Sequence, residues 1–473
     1  MTEMNENPLE ILPEIFLVAG AVVSLLLGAW LPRHRQWIIG ALAAIICTAG
    51  IIAAAVTAPG PPTSVFGDAY ALDALTSAGR VIILGGGLIV LALSLRPLHN
   101  DPRESEFYVL IQLALLGAMV LAGAQDLLLL SAGYLLASIP AYTLAGFRKD
   151  APGTEAALKY YVVGALLGIV MLAGITVLYA GGRSTKYTVL ADTLDNAPQA
   201  IIAVGTLGLL AGLLFKAGAV PAHYWIPDAV QGSTPPAAAL IATLPKVGAL
   251  TALFRLGTVP LDAAPLPWAT LLAILSAASM TLGNLAAFFQ SDVKRLLAYS
   301  TISQVGYLLM PIALATSTGE AQPALLYYLA AYTVTNLGAF AVVCALPHAA
   351  DIDDYRGLGH HRPLLAASLV ICLLGLLGTP PTAVFVGKLL VFTAAIDGGY
   401  GWLAVVAAVN TVVSLFYYLR WVLPTFARTG DVPGHRCESR SARTVAYACA
   451  ALSLMTGMGS GPLLDSLSGA VSR

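Results

Sequence analysis

Long apolar stretches, interrupted only by short polar joints, occupy the chain from Leu9 to Leu464. Each is about 17 to 25 residues long, the length a helix needs to cross the hydrocarbon core of a bilayer. By that rule the pattern predicts about fourteen spans: Leu9–Leu31, Trp37–Ala58, Leu72–Leu95, Phe107–Gly123, Leu127–Phe147, Ala157–Ala180, Gln199–Val220, Pro235–Leu256, Pro267–Phe289, Leu296–Thr316, Pro323–Leu346, Leu364–Ile396, Trp402–Leu423 and Thr444–Leu464. A membrane barrel would instead show short segments of alternating polarity, so the spans read as helices and the fold class as an all-α integral membrane protein. The twelfth span is too long for one straight crossing. Pro380 and Pro381 in its middle predict a broken helix, because proline removes a backbone donor and clashes with the preceding turn.

Composition supports this class and excludes a soluble domain. Of 473 residues, 58% are hydrophobic and only 10% charged, against roughly 25% charged in an ordinary soluble domain. The net charge of -1 says little about partners, but the placement of basic residues sets an orientation. Arg33 and Arg35, Arg96 and Arg103, Arg148 and Lys149, Lys294 and Arg295, Arg356 and Arg362, and Arg420 through Arg443 all follow odd-numbered spans, while the opposite joints carry little beyond Arg183, Lys186 and Arg255. By the positive-inside rule the basic joints are cytoplasmic and both termini lie on the outer side. The opening segment holds Glu3, Glu6, Glu10 and Glu14 without a basic n-region, so it reads as a retained span and not as a cleavable signal. The cysteines, Cys47, Cys344, Cys372, Cys437 and Cys449, are scattered without CxxC spacing, so neither a zinc site nor an iron–sulfur cluster is predicted.

Candidate chemistry gathers around three lysines inside the spans, each close to a proline. Lys216 precedes Pro221 by a little over one helical turn, Lys246 directly follows Pro245, and Lys388 comes about two turns after Pro380 and Pro381. Charged side chains deep in a bilayer are costly and mark ion or proton paths. The prolines free backbone polar groups beside them. Snorkelling to a headgroup suits near-end lysines such as Lys149 and Lys294, and it remains an alternative for Lys216, whose span end is the least defined of the three. His223 and Asp228 follow Lys216 at the cytoplasmic end of the seventh span; His223 has no second ligand at metal spacing on its face, so it reads as a hydrogen-bonding residue. Glu155 and Lys159 stand four apart on one helix face, in the order that favours an ion pair. Tyr299, Ser300, Thr301, Ser303 and Gln304 in the tenth span suit either a water-borne proton path or helix-packing contacts. Gly85, Gly86 and Gly87 lie inside a span, where small residues serve close packing, and GGRSTK from Gly181 lacks P-loop spacing.

Several stretches together carry a family likeness: LPEIFLVAGA, TEAALKYY, FKAGAVPAHYWIPDAVQG, LGNLAAFFQSDVKRLLAYSTISQVGY, GLGHHRPLLA and GTPPTAVFVGK. On these, and over nearly its whole length, the chain resembles the antiporter-like membrane subunits of bacterial NADH–quinone oxidoreductase (respiratory complex I), subunit N above all, which are related to Mrp-type cation/proton antiporters. The resemblance implies two inverted five-helix repeats, spans 4–8 and 9–13, with broken helices 7 and 12. The domains would then be residues 1–104 (helices 1–3), 105–257 (first repeat), 258–428 (second repeat) and 429–473 (helix 14). It implies a translocase subunit of the bacterial cell membrane that moves protons along a hydrated path lined by Lys216, Lys246 and Lys388, coupled to quinone reduction elsewhere. No cofactor is expected in this chain; NADH, FMN, iron–sulfur clusters and quinone would belong to partner subunits of the membrane-bound complex.

One departure from the family pattern stands out. A stretch like LGLELLSLP in the fifth span supplies the glutamate that pairs with the broken-helix lysine, and here SAGYLLASIP places Tyr134 at that point. Tyrosine is neutral at cellular pH and supplies no anionic partner. Glu155 on the next span is the nearest substitute, and a paralogue with altered pumping, an Mrp-like antiporter component or a purely structural membrane-arm subunit remain as alternatives.

Overall fold

The computed structural model describes residues 7–58, 61–262, 264–427, 439–467 and 469, and it is helical almost throughout. Its α-helices are α1 (Leu12–Trp30), α2 (Trp37–Thr57), α3 (Ala74–Ser94), α4 (Glu104–Gly123), α5 (Leu127–Ala145), α6 (Ala151–Gly182), α7 (Tyr187–Thr193), α8 (Gln199–Ala217), α9 (Trp225–Gly232), α10 (Pro235–Thr258), α11 (Trp268–Ala287), α12 (Val293–Ala313), α13 (Ala321–Ala345), α14 (Leu358–His361), α15 (Pro363–Leu377), α16 (Ala383–Asp397), α17 (Gly401–Thr425), α18 (Arg440–Met458) and α19 (Ser460–Leu467). Among the described residues, twelve helices are long and apolar enough to cross a membrane, and this is a multi-pass membrane protein. A two-stranded antiparallel hairpin, β1 (Thr63–Val65) and β2 (Tyr70–Leu72), fills the joint between α2 and α3.

Burial sorts the helices into two shells. The α10 helix is wholly enclosed and α12 and α13 nearly so, whereas α1, α2, α6, α11 and α17 turn most of their surface outward. The outward faces are apolar, with Leu158, Val162, Leu166 and Ile169 exposed along α6 and Val405, Val409, Val412 and Phe416 along α17. That inversion of the soluble pattern is what lipid as solvent demands. Polar residues go inside: Ser300, Thr301, Gln304, Asn336, Lys216, Lys246 and Lys388 are all buried.

Two of the spans are interrupted in the same way. The α8 helix ends on Gly218 (φ 79°), whose N–H bonds back to Phe215 O while Ala219 N–H reaches Leu214 O. The α15 helix ends on Gly378 (φ 90°), whose N–H bonds to Gly375 O while Thr379 N–H reaches Leu374 O. Both are Schellman closures, which need a residue free to take positive φ and leave carbonyls of the last turn without helical donors. Cis peptide bonds precede Pro221 and Pro381, and the chain resumes as α9 and α16. The expected breaks in the seventh and twelfth spans are therefore present.

The structure corrects several sequence expectations. Arg255 is no joint residue: it is fully buried near the end of α10, with Nη1 and Nη2 on the two Asp73 carboxylate oxygens at 2.7 and 2.9 Å. The sixth span runs longer than expected, a 32-residue helix from Ala151 to Gly182. The fourteenth stops at Met458 and resumes past Gly459 as α19. Gly86 and Gly87 do admit neighbours, Leu244 and Leu115, but Gly85 faces open space. Cys437 and the proposed 428/429 boundary lie outside the described residues.

A second buried ion pair was not anticipated at all. Arg80 on α3 meets Glu14 on α1 through Nε and Nη2, both at 2.8 Å, and Tyr70 donates its hydroxyl to the same carboxylate at 2.6 Å. These two pairs fasten α1 to α3 and α3 to α10.

Candidate functional site

The αL glycine at each break opens a place for an ammonium group. Lys246 reaches from α10 and donates to the carbonyl of Ala217, the last residue of α8, at 2.9 Å. Lys388, on α16, donates to the carbonyl of Leu377, the last residue of α15, at 2.8 Å. A side chain on Gly218 would collide with Lys246 Nζ, and one on Gly378 with the Lys388 stem. Carbonyls at a helix C-terminus carry partial negative charge, so the seat favours a cation without a carboxylate. Trp225 lies 5.7 Å from Lys246 Nζ and Tyr307 4.1 Å from Lys388 Nζ, each presenting its ring face. Thr411 on α17 adds a hydroxyl at 3.3 Å to Lys388.

Lys216 is held differently. Its Nζ donates to Ser138 Oγ on α5 at 2.8 Å, and the Tyr134 ring lies 5.8 Å away. Tyr134 itself sends its hydroxyl to Gly164 O at 3.0 Å. Every one of these partners is neutral. Anchored on its own Gly, Ser and Pro, the family pattern aligns with Gly133, Ser138 and Pro140, so the glutamate position falls on Leu135 rather than on Tyr134. Leu135 is 46% exposed, on the outer flank of α5. The carboxylate is missing on either reading, and Glu155 does not replace it: that side chain is exposed and pairs with Lys159 at 2.8 Å.

Lys216 and Lys388 both belong to broken helices, as expected, but on opposite sides of the breaks. Matching Gly218 to Gly378 and Pro221 to Pro381 places Leu376 opposite Lys216, while Lys388 lies on the segment after its break. Lys246 and Lys388 are the pair with like surroundings.

The enclosed helices α10, α12 and α13 also hold a set of buried side-chain hydrogen bonds. Asn336 on α13 donates to Thr243 on α10 at 2.8 Å and to Tyr332 at 3.2 Å, and Tyr332 reaches Thr301 on α12 and Ala242 O, both at 3.1 Å. Thr243 stands just before Pro245, where α10 stays helical although the proline lacks an N–H. Tyr328 donates to Gln304 at 2.6 Å, and Gln304 Nε2 bonds to Leu376 O at 2.7 Å, beside the carbonyl that seats Lys388. Ser300 pairs with Tyr418 at 2.6 Å; Ser303 Oγ is buried without a partner; Tyr299 stays near the surface over Arg295. The sequence reading did not single out Ser138, Thr243, Tyr328, Tyr332, Asn336 or Thr411. A signal existed for three of these, since Tyr328, Tyr332 and Asn336 recur every four residues and so share one face of a helix.

Asp228 sits apart from this core, at a polar mouth. It accepts from Lys159 at 2.9 Å and from Arg295 at 2.7 Å, linking α6, α9 and α12 beside a cavity of about 500 Å³ lined by Arg148, Asp150, Glu155, Lys159 and Gln231. Burial raises its carboxyl affinity for protons, but the two cations outweigh that and hold it below the usual carboxylate range. His223 occupies the first break with Nδ1 buried and unpartnered. No group of three His, Cys, Asp or Glu side chains able to hold a metal occurs among the described residues.

A helical membrane bundle with two interrupted spans, each closing on an αL glycine that seats a buried lysine, defines an antiporter-like membrane subunit. Residues 124–414 match the family model described as NADH:quinone oxidoreductase/Mrp antiporter, TM. NADH-quinone oxidoreductase subunit N 1 of Streptomyces griseus is 52% identical, with 98% of each chain covered, and subunit N of Mycobacterium sp. (strain JLS) is 50% identical over 97% of each. Among solved structures, a chain of respiratory complex I from Thermus thermophilus matches with TM-score 0.84 and 33% identity over 97% of this chain and 100% of that one. A chain of the Mrp complex from Dietzia sp. has TM-score 0.86 at 21% identity, covering 98% of this chain and 96% of that one, a likeness of fold alone. The chain belongs to the NADH:quinone oxidoreductase/Mrp antiporter membrane family, as a member of its subunit N branch.

Proposed function

We propose that this chain is the subunit N of a proton-translocating NADH–quinone oxidoreductase in a bacterial cell membrane, assembled with other membrane-arm subunits. The observation that carries the reading is the repeated seat: two buried ammonium groups, Lys246 and Lys388, each held on the terminal carbonyl of an interrupted helix. Such a seat binds the charged form through a carbonyl and an aromatic face, both weak partners compared with a carboxylate, so a proton can be taken up and released without breaking an ion pair. Buried hydroxyl and amide groups on the neighbouring helices α10, α12 and α13, from Thr243 to Gln304, are of the kind that would support a proton path. In this reading spans 4–8 and 9–13 are the two inverted repeats, the α15/α16 pair and α18 complete a count of about fourteen crossings, and both termini face outward. NADH, FMN, iron–sulfur clusters and quinone belong to partner subunits, and this chain's own residues bind, hold and pass protons.

The test is proton translocation per electron in the assembled complex. Lys246→Ala or Lys388→Ala should lower it while NADH oxidation by the hydrophilic arm persists. A second reading, a paralogue with impaired pumping at its first break, is favoured by one observation: among the described residues, the side chain that Lys216 bonds is the neutral Ser138, and Glu155 is engaged by Lys159. Under it, Lys216→Ala leaves translocation unchanged while Lys388→Ala does not.

A further inference from the structure

Ser138 and Gln304 occupy the same register on two helices. Asp126 caps the N-terminus of α5 and Asp292 that of α12, and Ser138 and Gln304 each stand twelve residues further on. Each addresses the same place on an interrupted helix, two residues before the αL glycine. Gln304 Nε2 bonds to Leu376 O at 2.7 Å, and Ser138 Oγ accepts from Lys216 Nζ at 2.8 Å. The fold therefore builds this contact twice, once to a carbonyl and once to an ammonium. Ser138 is itself buried, and its own proton is engaged by Tyr134 O at 2.6 Å, so its oxygen serves as an acceptor for Lys216, with the Tyr142 hydroxyl beside it.

We propose that Ser138 is the positioning residue of Lys216: its hydroxyl oxygen holds the ammonium against α5. This rests on the translocation reading above. Ser138 donates to the Tyr134 carbonyl and accepts from Lys216, more strongly from the ammonium than from the neutral amine, so the hydroxyl favours the charged form while changing no charge of its own. Among the described residues, the titratable groups that face Lys216 or its Ser138 partner are Tyr134 and Tyr142 on α5 and Lys246 on α10, and none of them is an acid ionised at neutral pH. Ser138 is thus the side-chain acceptor that favours the charged form there. A hydrogen bond to a charged group is typically worth enough to displace a proton equilibrium by about one to two pH units.

The experiment compares Lys216→Ala, Ser138→Ala, Ser138→Thr and Ser138→Asp in the complete complex in inverted membrane vesicles, recording proton translocation per NADH oxidised across pH. Ser138→Ala should move the alkaline fall of the profile down by about one to two pH units, Ser138→Asp should move it up, and Ser138→Thr should return it towards wild type. A purely packing role would change amplitude or assembly but not the position of the profile. If Lys216→Ala impairs translocation and the Ser138 variants leave the profile in place, the positioning role is overturned while the translocation reading stands. If Lys216→Ala translocates normally, the relay role of Lys216 falls and the proposal with it. Should Ser138→Ala fail to assemble, Ser138→Asp alone decides, an unmoved profile refuting the role.

Discussion

Replacing Asp73 with asparagine tests how the third helix is fastened to the enclosed core. The wild-type carboxylate accepts from Arg255 Nη1 and Nη2 at 2.7 and 2.9 Å, with neither side chain exposed, and Thr76 Oγ1 takes a further bond from Nη2 at 2.9 Å. Asparagine keeps the shape and one acceptor but leaves the guanidinium buried without a counter-ion, which costs about 3–5 kcal/mol in comparable pairs. Asp73 Oδ1 also caps α3 by accepting from Thr76 N–H at 2.9 Å. Asparagine caps helices as well as aspartate does, whereas alanine forfeits about 1 kcal/mol more. Asp73→Ala should therefore be less stable than Asp73→Asn by that increment. Removing both charges, as Asp73→Asn with Arg255→Met, should recover most of the loss, because the desolvation of Arg255 disappears with it. Denaturant unfolding of the purified complex in detergent, followed by tryptophan fluorescence, measures all four. A single Asp73→Asn variant within about 1 kcal/mol of wild type, or a double variant no more stable than the single, would refute the claim that an uncompensated charge dominates.

Gly218→Ala and Gly378→Ala should each destabilise by at least about 1 kcal/mol, since both residues hold positive φ and an added Cβ would strike Lys246 Nζ or the Lys388 stem; they should also lower proton translocation, which alanine at Gly85, facing open space, should not. Asp228 should make the joining of α6, α9 and α12 acid-sensitive. Its folded affinity for protons is depressed by Arg295 and Lys159 despite burial, so its contribution is complete above the ordinary carboxylate range and is lost as pH falls through the folded value. Thermal midpoints measured between neutral pH and about pH 3 should fall less steeply for Asp228→Asn than for wild type; parallel curves would remove Asp228 from that role.

What the sequence reveals and conceals divides along local and distant physics. Span positions depend on local apolar length, and the eighth span, expected to begin at Pro235, does so in the structure. The two breaks were likewise legible, because a proline and a glycine act on their own turn. Lys246 and Lys388 stood out because a lone charge in an apolar run is costly wherever it points. Partners are another matter. Arg80 and Glu14 are 66 residues apart and Arg255 and Asp73 are 182 apart, so nothing within either span announces that the charge is neutralised. Arg255 consequently read as a joint residue near the end of its helix. Ser138 was hidden for the same reason, being an ordinary small residue until Lys216, 78 residues on, is folded against it. The missing glutamate was visible as an absence, but its position was read one residue early, at Tyr134. Only the contact geometry separates the inward Tyr134 and Ser138 from the outward Leu135.

The central claim is that Lys246 and Lys388, seated on the carbonyls of Ala217 and Leu377, carry protons. The most direct measurement is the number of protons translocated per electron by complete complex carrying Lys246→Ala or Lys388→Ala, with assembly verified in the same membranes. The account predicts a reduced stoichiometry in both; wild-type stoichiometry in correctly assembled complex would contradict it.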